Sequence, residues 1–425
     1  MRFTAALPVL VLYTAAFIQS APRLPSQPEP TSVTVPVILD HNHVLIDVGL
    51  TLPDGSTRQV RGWVDSGNPD LCLSRRVATL VGLSVACDEK SCSAPPPQEI
   101  TIGGMKISLK AIKEASIPLK PPSAAAVLDP GMPSEINIPA TVLSSYDVFV
   151  NFPDRQLTIA RPGSLRFNGV KAKAIVNSQN GLVQIPTQIG NRKFNLALDL
   201  GSSISFLSDD LFDKLATTHA DWPHMTGAVG PANMWGLEDE PKWKLMRVDR
   251  VEYGPLFLTD VAVADFPPDR FAFFEKRAGV LTSGLLGAEA LLNYRVGIDY
   301  AHSTVYFDIG RLFNFPDFDV VGVILRPEDD GGFTILGVAD YDSKPSVPQG
   351  SDGVQRGDHL VAVGGIPVPG STLGQVWSML GGSPGQERVL TVERAGQKFT
   401  VVAKVQHFLG DVQQEKQPTK SPKKK

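Results

Sequence analysis

Short apolar runs that alternate with turn residues fill most of the chain, and they predict strands rather than long helices. Residues 43–50 and 59–64 are two such runs, separated by the turn residues Pro-Asp-Gly-Ser at 53–56. Runs of this length bounded by Gly, Pro, Asn and Asp are typical of β-hairpins. Short helices are predicted only at residues 75–83, 209–216 and 373–380. We therefore expect a mainly β protein.

The pattern occurs twice, which predicts a duplicated lobe. An apolar strand ends in Asp-x-Gly at Asp65 and again at Asp199. Both halves also close alike, because Tyr146 and Tyr294 are 148 positions apart and Ala140 and Gly287 are 147 apart. Two landmarks at nearly the same spacing are the mark of an internal repeat. We predict one lobe at residues 33–165 and a second at 170–315.

A third unit of mixed helix and strand is expected after the repeat, at residues 320–406. Its apolar runs at 322–325 and 333–336 predict two strands around an acidic, glycine-containing turn. The helix predicted at 373–380 and a hairpin at 388–405 complete it. The last residues, 411–425, are polar and end in three lysines, so they are expected to be a disordered basic tail.

The N-terminus predicts export. Arg2 precedes an apolar run that is followed by small residues at Ser20 and Ala21, which is the pattern of a signal peptide over residues 1–21. An uncleaved anchor is the alternative, although the run is shorter than the ~20 residues of a spanning helix. Residues 22–32 are Pro-rich and read as a linker. The mature chain is expected to be periplasmic or secreted, with no integral membrane segment.

The net charge and the numbers of cysteine and histidine residues limit the classes of partner and cofactor. The net charge of −4 gives no reason to expect a nucleic-acid partner. Three cysteines and seven histidines, without paired spacing, predict no metal and no cofactor. Cys87 and Cys92 lie in a polar loop of an exported chain, so a disulfide between them is expected. The tripeptide at residues 41–43, His-Asn-His, is expected to be a surface turn.

The two Asp-x-Gly turns are the chemical signal of the sequence. One such turn is common on protein surfaces, but duplicated lobes packed about a pseudo-twofold axis can bring equivalent turns face to face. Two carboxylates a few ångströms apart share one proton, because both cannot ionise easily. One can then act as a general base on water and the other as a general acid. Asp65 and Asp199 are therefore the predicted dyad.

The motifs resemble a known family. The stretch 64–67, Val-Asp-Ser-Gly, resembles the Asp-Thr/Ser-Gly signature of aspartic proteases, and 285–287, Leu-Leu-Gly, resembles that family's hydrophobic-hydrophobic-Gly element. Residues 285–300 are similar to the closing segment of bacterial retropepsin-like domains, and 353–365 are similar to the Gly-Asp stretch of bacterial PDZ domains. The resemblance covers about residues 33–406. It implies two retropepsin-like (pepsin-like) β-barrel lobes followed by an α+β PDZ domain, as in exported bacterial aspartyl proteases.

The resemblance also implies roles for particular residues. It implies an exported aspartic-type endopeptidase whose substrate is a peptide or unfolded protein. Asp65 and Asp199 would be catalytic, and Ser66 would brace the two turns. The other residues implied to support the active-site turns are Gly67, Asn68, Gly201 and Ser202, with Asn68 and Ser202 where a hydroxyl donor to the carboxylate is sometimes found. In the PDZ-like unit, Gly331, Gly332 and Phe333 would belong to a loop that binds a peptide C-terminus. The two acids in that loop would repel a carboxylate, so the alternative is a docking module that packs on the lobes.

The sequence departs from the family at Leu200 and Ala140, and Asn151 stands where lobe 2 has Asp299; these departures leave an alternative open. Leu200 stands between Asp199 and Gly201 where a hydroxyl residue is usual, so half of the brace is missing. In lobe 1, Ala140 stands where glycine is usual. The alternative to a working peptidase is a catalytically weak or inactive peptide-binding scaffold with the same fold.

Overall fold

The structure is a computed structural model that describes residues 30–119, 128, 131–279, 281–310 and 318–410. The predicted signal peptide, all but the last three residues of the predicted linker, and the predicted tail lie outside these residues. The expectation of a mainly β protein is confirmed. None of the helices in the described part of the chain has the length and apolar character required to cross a bilayer.

The described part of lobe 1 contains thirteen short strands and two short helices. The first helix begins where Ser74 caps it by accepting a hydrogen bond from the Val77 N–H. The elements of lobe 1 are strands Ser32–Pro36 (β1), Ile38–Asp40 (β2), His43–Thr51 (β3), Thr57–Asp65 (β4), Leu71–Cys72 (β5), Ala86–Cys87 (β6), Cys92–Ala94 (β7), Glu99–Ile102 (β8), Met105–Ser108 (β9), Ala115–Ile117 (β10), Ile136–Pro139 (β11), Asp147–Asn151 (β12) and Gln156–Ala160 (β13), and helices Arg75–Leu80 (α1) and Ala140–Leu143 (α2).

Lobe 2 repeats this plan with longer hairpins. Its second helix, which the sequence pattern did not predict, starts at a proline and ends at Gly279 in the left-handed conformation. The elements of lobe 2 are strands Val170–Lys173 (β14), Ile175–Val176 (β15), Val183–Ile189 (β16), Arg192–Leu198 (β17), Ser205–Ser208 (β18), His224–Thr226 (β19), Lys244–Tyr253 (β20), Leu256–Phe266 (β21), Gly284–Leu286 (β22), Tyr294–Asp299 (β23) and Thr304–Ile309 (β24), and helices Asp209–Thr218 (α3) and Pro268–Ala278 (α4).

One six-stranded sheet joins the two lobes, and its strand order shows how they are related. Its order is β1-β13-β12-β23-β24-β14, with three strands from each lobe. At its centre β12 pairs with β23 in antiparallel register, and Phe149 lies opposite Gly297. These two residues are 148 positions apart, which is also the spacing of Tyr146 and Tyr294. The lobes are therefore related by a local twofold axis through this pair of strands.

The C-terminal domain combines short strands with one helix, which is capped by a reciprocal pair of bonds between Thr372 and Gln375. The elements of this domain are strands Asp319–Val320 (β25), Val323–Pro327 (β26), Phe333–Val338 (β27), Asp340–Tyr341 (β28), Lys344–Pro345 (β29), His359–Val363 (β30), Ile366–Pro367 (β31), Glu387–Arg394 (β32), Gln397–Lys404 (β33) and Gln406–His407 (β34), and helix Leu373–Leu380 (α5). Its main sheet has the strand order β26-β27-β30-β32-β33, with β31 also paired to β30.

The C-terminal domain is not a separate body, because it shares a hydrophobic core with lobe 2. Phe206 and Trp243 of lobe 2 belong to the same buried cluster as Leu325 and Trp377 of the C-terminal domain. A second buried cluster runs from lobe 1 into lobe 2 across the shared sheet. Burial of apolar surface therefore couples all three units.

The structure also shows the state of the cysteines. Cys87 and Cys92 are joined by a disulfide across the hairpin of β6 and β7. Cys72 is free and half-buried, and burial raises the pKa of its thiol to about 12. A thiol with so high a pKa stays protonated at neutral pH and is a poor nucleophile.

Candidate active site

Each predicted catalytic aspartate ends a strand that is held from the side by a parallel neighbour. In lobe 1, β4 pairs with β11, so that Val64 lies opposite Ile138. In lobe 2, β17 pairs with β22, so that Leu198 lies opposite Leu286. The equivalent pairings place Asp65 and Asp199 at the same point of each lobe, directly after a fully buried residue.

These registers correct the predicted alignment of the lobes by one residue. The Ala140 N–H donates to the Asn68 carbonyl at 2.8 Å, and the Ala288 N–H donates to the Ser202 carbonyl at 2.8 Å. Ala140 is therefore equivalent to Ala288, and the position of Gly287 is taken in lobe 1 by Pro139. The prediction that Ala140 replaces the family glycine was wrong, because neighbouring letters were matched without knowledge of the strand register.

The turns meet across the lobe boundary, and the two glycines allow it. A Cβ atom on Gly67 would lie 2.2 Å from Asp199 Cγ, so there is no room for a side chain at position 67. A Cβ atom on Gly201 would lie 2.5 Å from Asp65 Oδ1 and 3.1 Å from Asp199 Oδ1. The two carboxylate oxygens can therefore be no farther apart than about 5.6 Å, the sum of those two distances. This separation is one that a single water molecule can bridge.

A one-sided brace holds the turns together beneath the carboxylates. The Ser66 hydroxyl donates to the Leu198 carbonyl at 2.9 Å and accepts a hydrogen bond from the Leu200 N–H at 2.9 Å. Both bonds cross from lobe 1 to lobe 2. Leu200 is fully buried in the shared core and has no hydroxyl to return them. Ser66 is thus completely satisfied, and the expected loss of half the brace does not leave it unpaired.

Asp65 is held by side-chain amides. Its Oδ2 accepts a hydrogen bond from Asn137 Nδ2 at 3.2 Å, and the side chain and N–H of Asn68 also bond to the carboxylate. Asp65 is only 3% exposed. Burial first and the nearby Asp199 second raise the pKa of Asp65 well above its ordinary value, against the opposing effect of these donors.

Asp199 is held by backbone N–H groups instead. The Gly201 N–H donates to its Oδ1 at 2.8 Å, and the N–H groups of Gly67 and Ser202 also bond to the carboxylate. Asp199 is 9% exposed, and burial raises its pKa to about 6. The Ser202 hydroxyl donates to the Ile204 carbonyl at 2.7 Å. The expectation that this hydroxyl bonds to the carboxylate was therefore wrong, because the local turn uses it.

Asn137 is a site residue that the sequence did not reveal. Its Nδ2 also donates to the Asp70 carbonyl at 2.9 Å, and its Oδ1 accepts from the Cys72 N–H at 2.7 Å. It is fully buried between apolar neighbours in β11. A single amide in an apolar run was a usable signal, because a buried polar side chain must find partners.

Two side-chain contacts between the lobes lie beside the turn at Asp65. Arg277 at the end of α4 forms an ion pair with Asp70 of lobe 1. The Thr141 hydroxyl of lobe 1 also donates to the Asn180 carbonyl of lobe 2 at 3.2 Å. These contacts fasten helix α4 and its surroundings to lobe 1.

The loop predicted to bind a peptide C-terminus has a different role. Residues 328–332 form the tight turn between β26 and β27, where the Gly331 N–H donates to the Glu328 carbonyl at 2.9 Å. The Gly332 N–H donates to Asp330 Oδ1 at 2.9 Å. Phe333 starts β27, which pairs with β26 on one side and β30 on the other. A carboxylate nest at these three residues is therefore a wrong prediction, since the glycine N–H groups are already bonded.

The described residues contain no group of three or more His, Cys, Asp or Glu side chains placed to hold a metal ion. What the site does offer is a buried pair of carboxylates with raised pKa values on a rigid, cross-braced base. Such a pair can take one proton from water and give another to a polarised oxygen.

Comparison with known proteins adds little. No family model matches the chain, and no curated protein matches it. Among solved structures, an aspartic proteinase from Irpex lacteus is similar, with 12% sequence identity and a TM-score of 0.41. The match covers 66% of this chain and 97% of that one.

Proposed function

We propose that the chain is an aspartic-type endopeptidase that hydrolyses peptide bonds with water activated between Asp65 and Asp199. The observation that carries this proposal is the convergence of the two carboxylates, one from each lobe, to within about 5.6 Å. A retropepsin-like or pepsin-like fold would supply this geometry, and the duplicated lobes and their shared sheet support that assignment.

The unequal hydrogen bonding of the two aspartates assigns their roles. Asp199 accepts three backbone N–H groups, which favour its charged form, whereas burial and its charged neighbour favour the protonated form of Asp65. Asp199 then removes a proton from water as the oxygen attacks the peptide carbonyl carbon, and Asp65 donates its proton to the carbonyl oxygen. The resulting diol then collapses and the C–N bond breaks, as Asp199 gives its new proton to the nitrogen and Asp65 takes a proton from a diol hydroxyl.

Cleavage by the mature chain tests this proposal. We expect casein or a mixed peptide library to be cleaved at some pH between 3 and 8, and Asp65→Asn to lower the rate by about 10²–10⁴-fold. Asp221→Asn, at an exposed position of lobe 2, is the matched control and should keep full activity. Equal cleavage by wild type and Asp65→Asn would reject the dyad.

A catalytically weak or inactive peptide-binding scaffold is the second candidate. The fully buried Leu200, which cannot return the hydrogen bonds of Ser66, favours it. A folded wild-type chain that cleaves nothing in the same assay but binds library peptides saturably would select this candidate.

We further propose that the chain is exported to the periplasm or secreted, on the pattern of residues 1–21. Fractionation with N-terminal sequencing tests this, and an intact N-terminus in the cytoplasmic fraction would contradict it. The C-terminal domain, which resembles PDZ domains, is proposed to be a docking domain. A fluorescence titration with free-carboxylate peptides should therefore show no saturable binding to the wild-type chain.

A further inference from the structure

The outer edge of the C-terminal sheet is occupied by lobe 2. β26 is the end strand of its sheet, and no other strand of the described chain pairs with its outer side. On that side the Leu325 N–H donates to Asn233 Oδ1 at 3.0 Å, and Asn233 Nδ2 donates to the Leu325 carbonyl at 2.8 Å. One asparagine side chain therefore bonds both the N–H and the carbonyl of Leu325, which a strand added at this edge would otherwise use.

Asn233 belongs to a compact segment of lobe 2 between β19 and β20, residues 227–243, which we name the bridging segment. It closes on itself, because the Gly227 N–H donates to the Trp243 carbonyl at 2.8 Å. Its backbone approaches β26 so closely that a Cβ atom on Gly236 would lie 2.7 Å from Pro327 Cδ. At the other end, a Cβ atom on Gly227 would lie 3.0 Å from Ala339 Cα. The segment thus follows the edge of the domain at backbone contact distance.

A buried carboxyl group fixes Asn233 in the orientation that this contact needs. Glu240 Oε2 accepts from Asn233 Nδ2 at 2.5 Å, and its Oε1 accepts from the Trp235 N–H at 3.0 Å. Glu240 is fully buried, and burial raises its pKa to about 7. The amide of Asn233 is therefore shared between the C-terminal domain and an acid of its own segment, which holds it in one rotamer.

The same segment also reaches lobe 1. His41 Nε2 of lobe 1 bonds to the Asn233 carbonyl at 2.9 Å. The neighbouring Asp40 lies against the first turn of α5, because a Cβ atom on Gly374 would be 2.0 Å from Asp40 Oδ1. His43 is buried in the same junction. The prediction that residues 41–43 form a surface turn was wrong, because the C-terminal domain and the bridging segment cover them.

The next residue carries the connection to the active site. Met234 Sδ accepts a hydrogen bond from the Ser203 N–H at 3.2 Å and is 3.7 Å from the Ser202 hydroxyl. Ser202 in turn bonds through its N–H to the Asp199 carboxylate. An unbroken series of contacts therefore runs from the Leu325 backbone through Asn233, Met234 and Ser202 to Asp199.

We propose that the bridging segment is the internal ligand of the C-terminal domain's edge strand, and that this docking makes Asn233 and Met234 positioning residues for the turn at Asp199. The first part stands without any activity of the chain, and the second part rests on the proposed peptidase function. The domain would then hold part of its own protein where a peptide partner would otherwise be added.

Hydrogen exchange of the full chain, followed at single amides, tests the docking. In the wild type we expect the Leu325 amide to be as protected as that of Ile335, which is bonded inside the sheet to the Asp358 carbonyl. Asn233→Ala should reduce the protection of both Leu325 and Ser203 by about tenfold or more, the effect of losing one buried hydrogen bond. Rapid exchange of Leu325 in the wild type would overturn the docking, whether or not any variant folds.

Two further variants separate the steps. Met234→Leu removes the sulfur acceptor but leaves Asn233 in place, so the Ser203 amide should lose protection while that of Leu325 keeps it. Asn177→Ala is the matched control, since Asn177 is another lobe 2 asparagine that bonds two backbone groups, and it should change neither amide. Unchanged exchange at Ser203 in both Asn233→Ala and Met234→Leu would overturn the link to Asp199.

Kinetics then measure the effect on the proposed reaction. If the wild type cleaves peptides, Asn233→Ala should lower kcat by about tenfold with KM changed less than twofold, while Asn177→Ala changes neither. A loss confined to KM would contradict the positioning role. A wild-type chain without activity would reject the peptidase proposal, yet the exchange rates would still decide the docking, so the two failures remain distinguishable.

Discussion

The turn at Asp65 and the turn at Asp199 share one backbone plan but hold their carboxylates by different means. Asp65 is bonded by the amides of Asn137 and Asn68. Asp199 takes the N–H groups of both turn glycines, Gly67 from the opposite lobe and Gly201 from its own. The brace is equally one-sided, since only lobe 1 supplies a hydroxyl, that of Ser66.

This difference shows how a duplicated site can give its two halves different proton affinities. The backbone N–H groups of the turns are fixed in place and favour the ionised form of Asp199. The amides of Asn137 and Asn68 lower the pKa of Asp65 less than burial and Asp199 raise it, so the shared proton stays on Asp65. Symmetric turns with unequal donors thus yield a base and an acid from two identical residues.

The stability cost of the buried charge gives the largest effect expected from the comparison. The pKa of Asp199 is raised to about 6 from 3.8, so its contribution to stability is complete below pH 3.8 and is lost as the pH rises through 6. A shift of about two units corresponds to roughly 3 kcal/mol. The free energy of unfolding of Asp199→Asn, relative to that of wild type, should therefore rise by about this much from pH 4 to pH 8, as measured by urea unfolding. With Asp221→Asn as the control, a difference independent of pH would contradict the raised pKa.

The two serines of the turns test the one-sided brace. Ser66→Ala leaves the Leu198 carbonyl and the Leu200 N–H buried without partners, which should lower the free energy of unfolding by about 2–4 kcal/mol. Ser202→Ala loses one local bond to the Ile204 carbonyl and should cost about 1 kcal/mol. Each variant is the control for the other, and urea unfolding compares them. Equal losses would show that the bonds between the lobes contribute no more than a local one.

The sequence predicted what depends on local pattern and on the repeat. The helix at 373–380 was predicted to the residue, and the helices beginning at Arg75 and Asp209 were predicted within two or three residues of their ends. These segments carry their own periodicity and caps. Helix α4 was missed because the proline pair at its start reads locally as a loop.

The contacts in the site were harder to predict from the sequence, because they join residues that are far apart in the chain. Asn137 and Asp65 are 72 positions apart and meet only through the parallel pairing of β11 with β4. The burial of His43 follows from contacts with the C-terminal domain and the bridging segment, and residues 41–43 by themselves give no indication of these contacts. The repeat indicated that Asp65 and Asp199 are equivalent, but only the register of the strands identified Pro139, not Ala140, as the counterpart of Gly287.

A hydroxyl in lobe 2 would make the two turns alike and sharpen the comparison. In Leu200→Thr the new hydroxyl would lie where it can donate to the Val64 carbonyl, the counterpart of the bond from Ser66 to Leu198. We expect kcat to rise by about threefold to tenfold, one added hydrogen bond being worth about 1 kcal/mol. Leu200→Val has the same shape without the hydroxyl and is the control. If both variants change kcat equally, the missing half of the brace does not limit the rate.

The amide of Asn137 gives the smallest effect, a displacement of the pH profile. Its Nδ2 donates to Asp65 Oδ2 at 3.2 Å, and a donor favours the charged form of a carboxyl group. Asn137→Ala should therefore raise the pKa of Asp65 further and move the alkaline limb of the kcat profile upward by about 0.5–1 pH unit, because Asp65 acts while protonated. Leu285→Met is a volume-conserving change at the equivalent position of lobe 2. It removes no hydrogen-bond donor from either carboxylate and should leave the profile in place. A lower kcat with an unmoved alkaline limb in Asn137→Ala would mean that this amide serves only the backbone of Asp70 and Cys72.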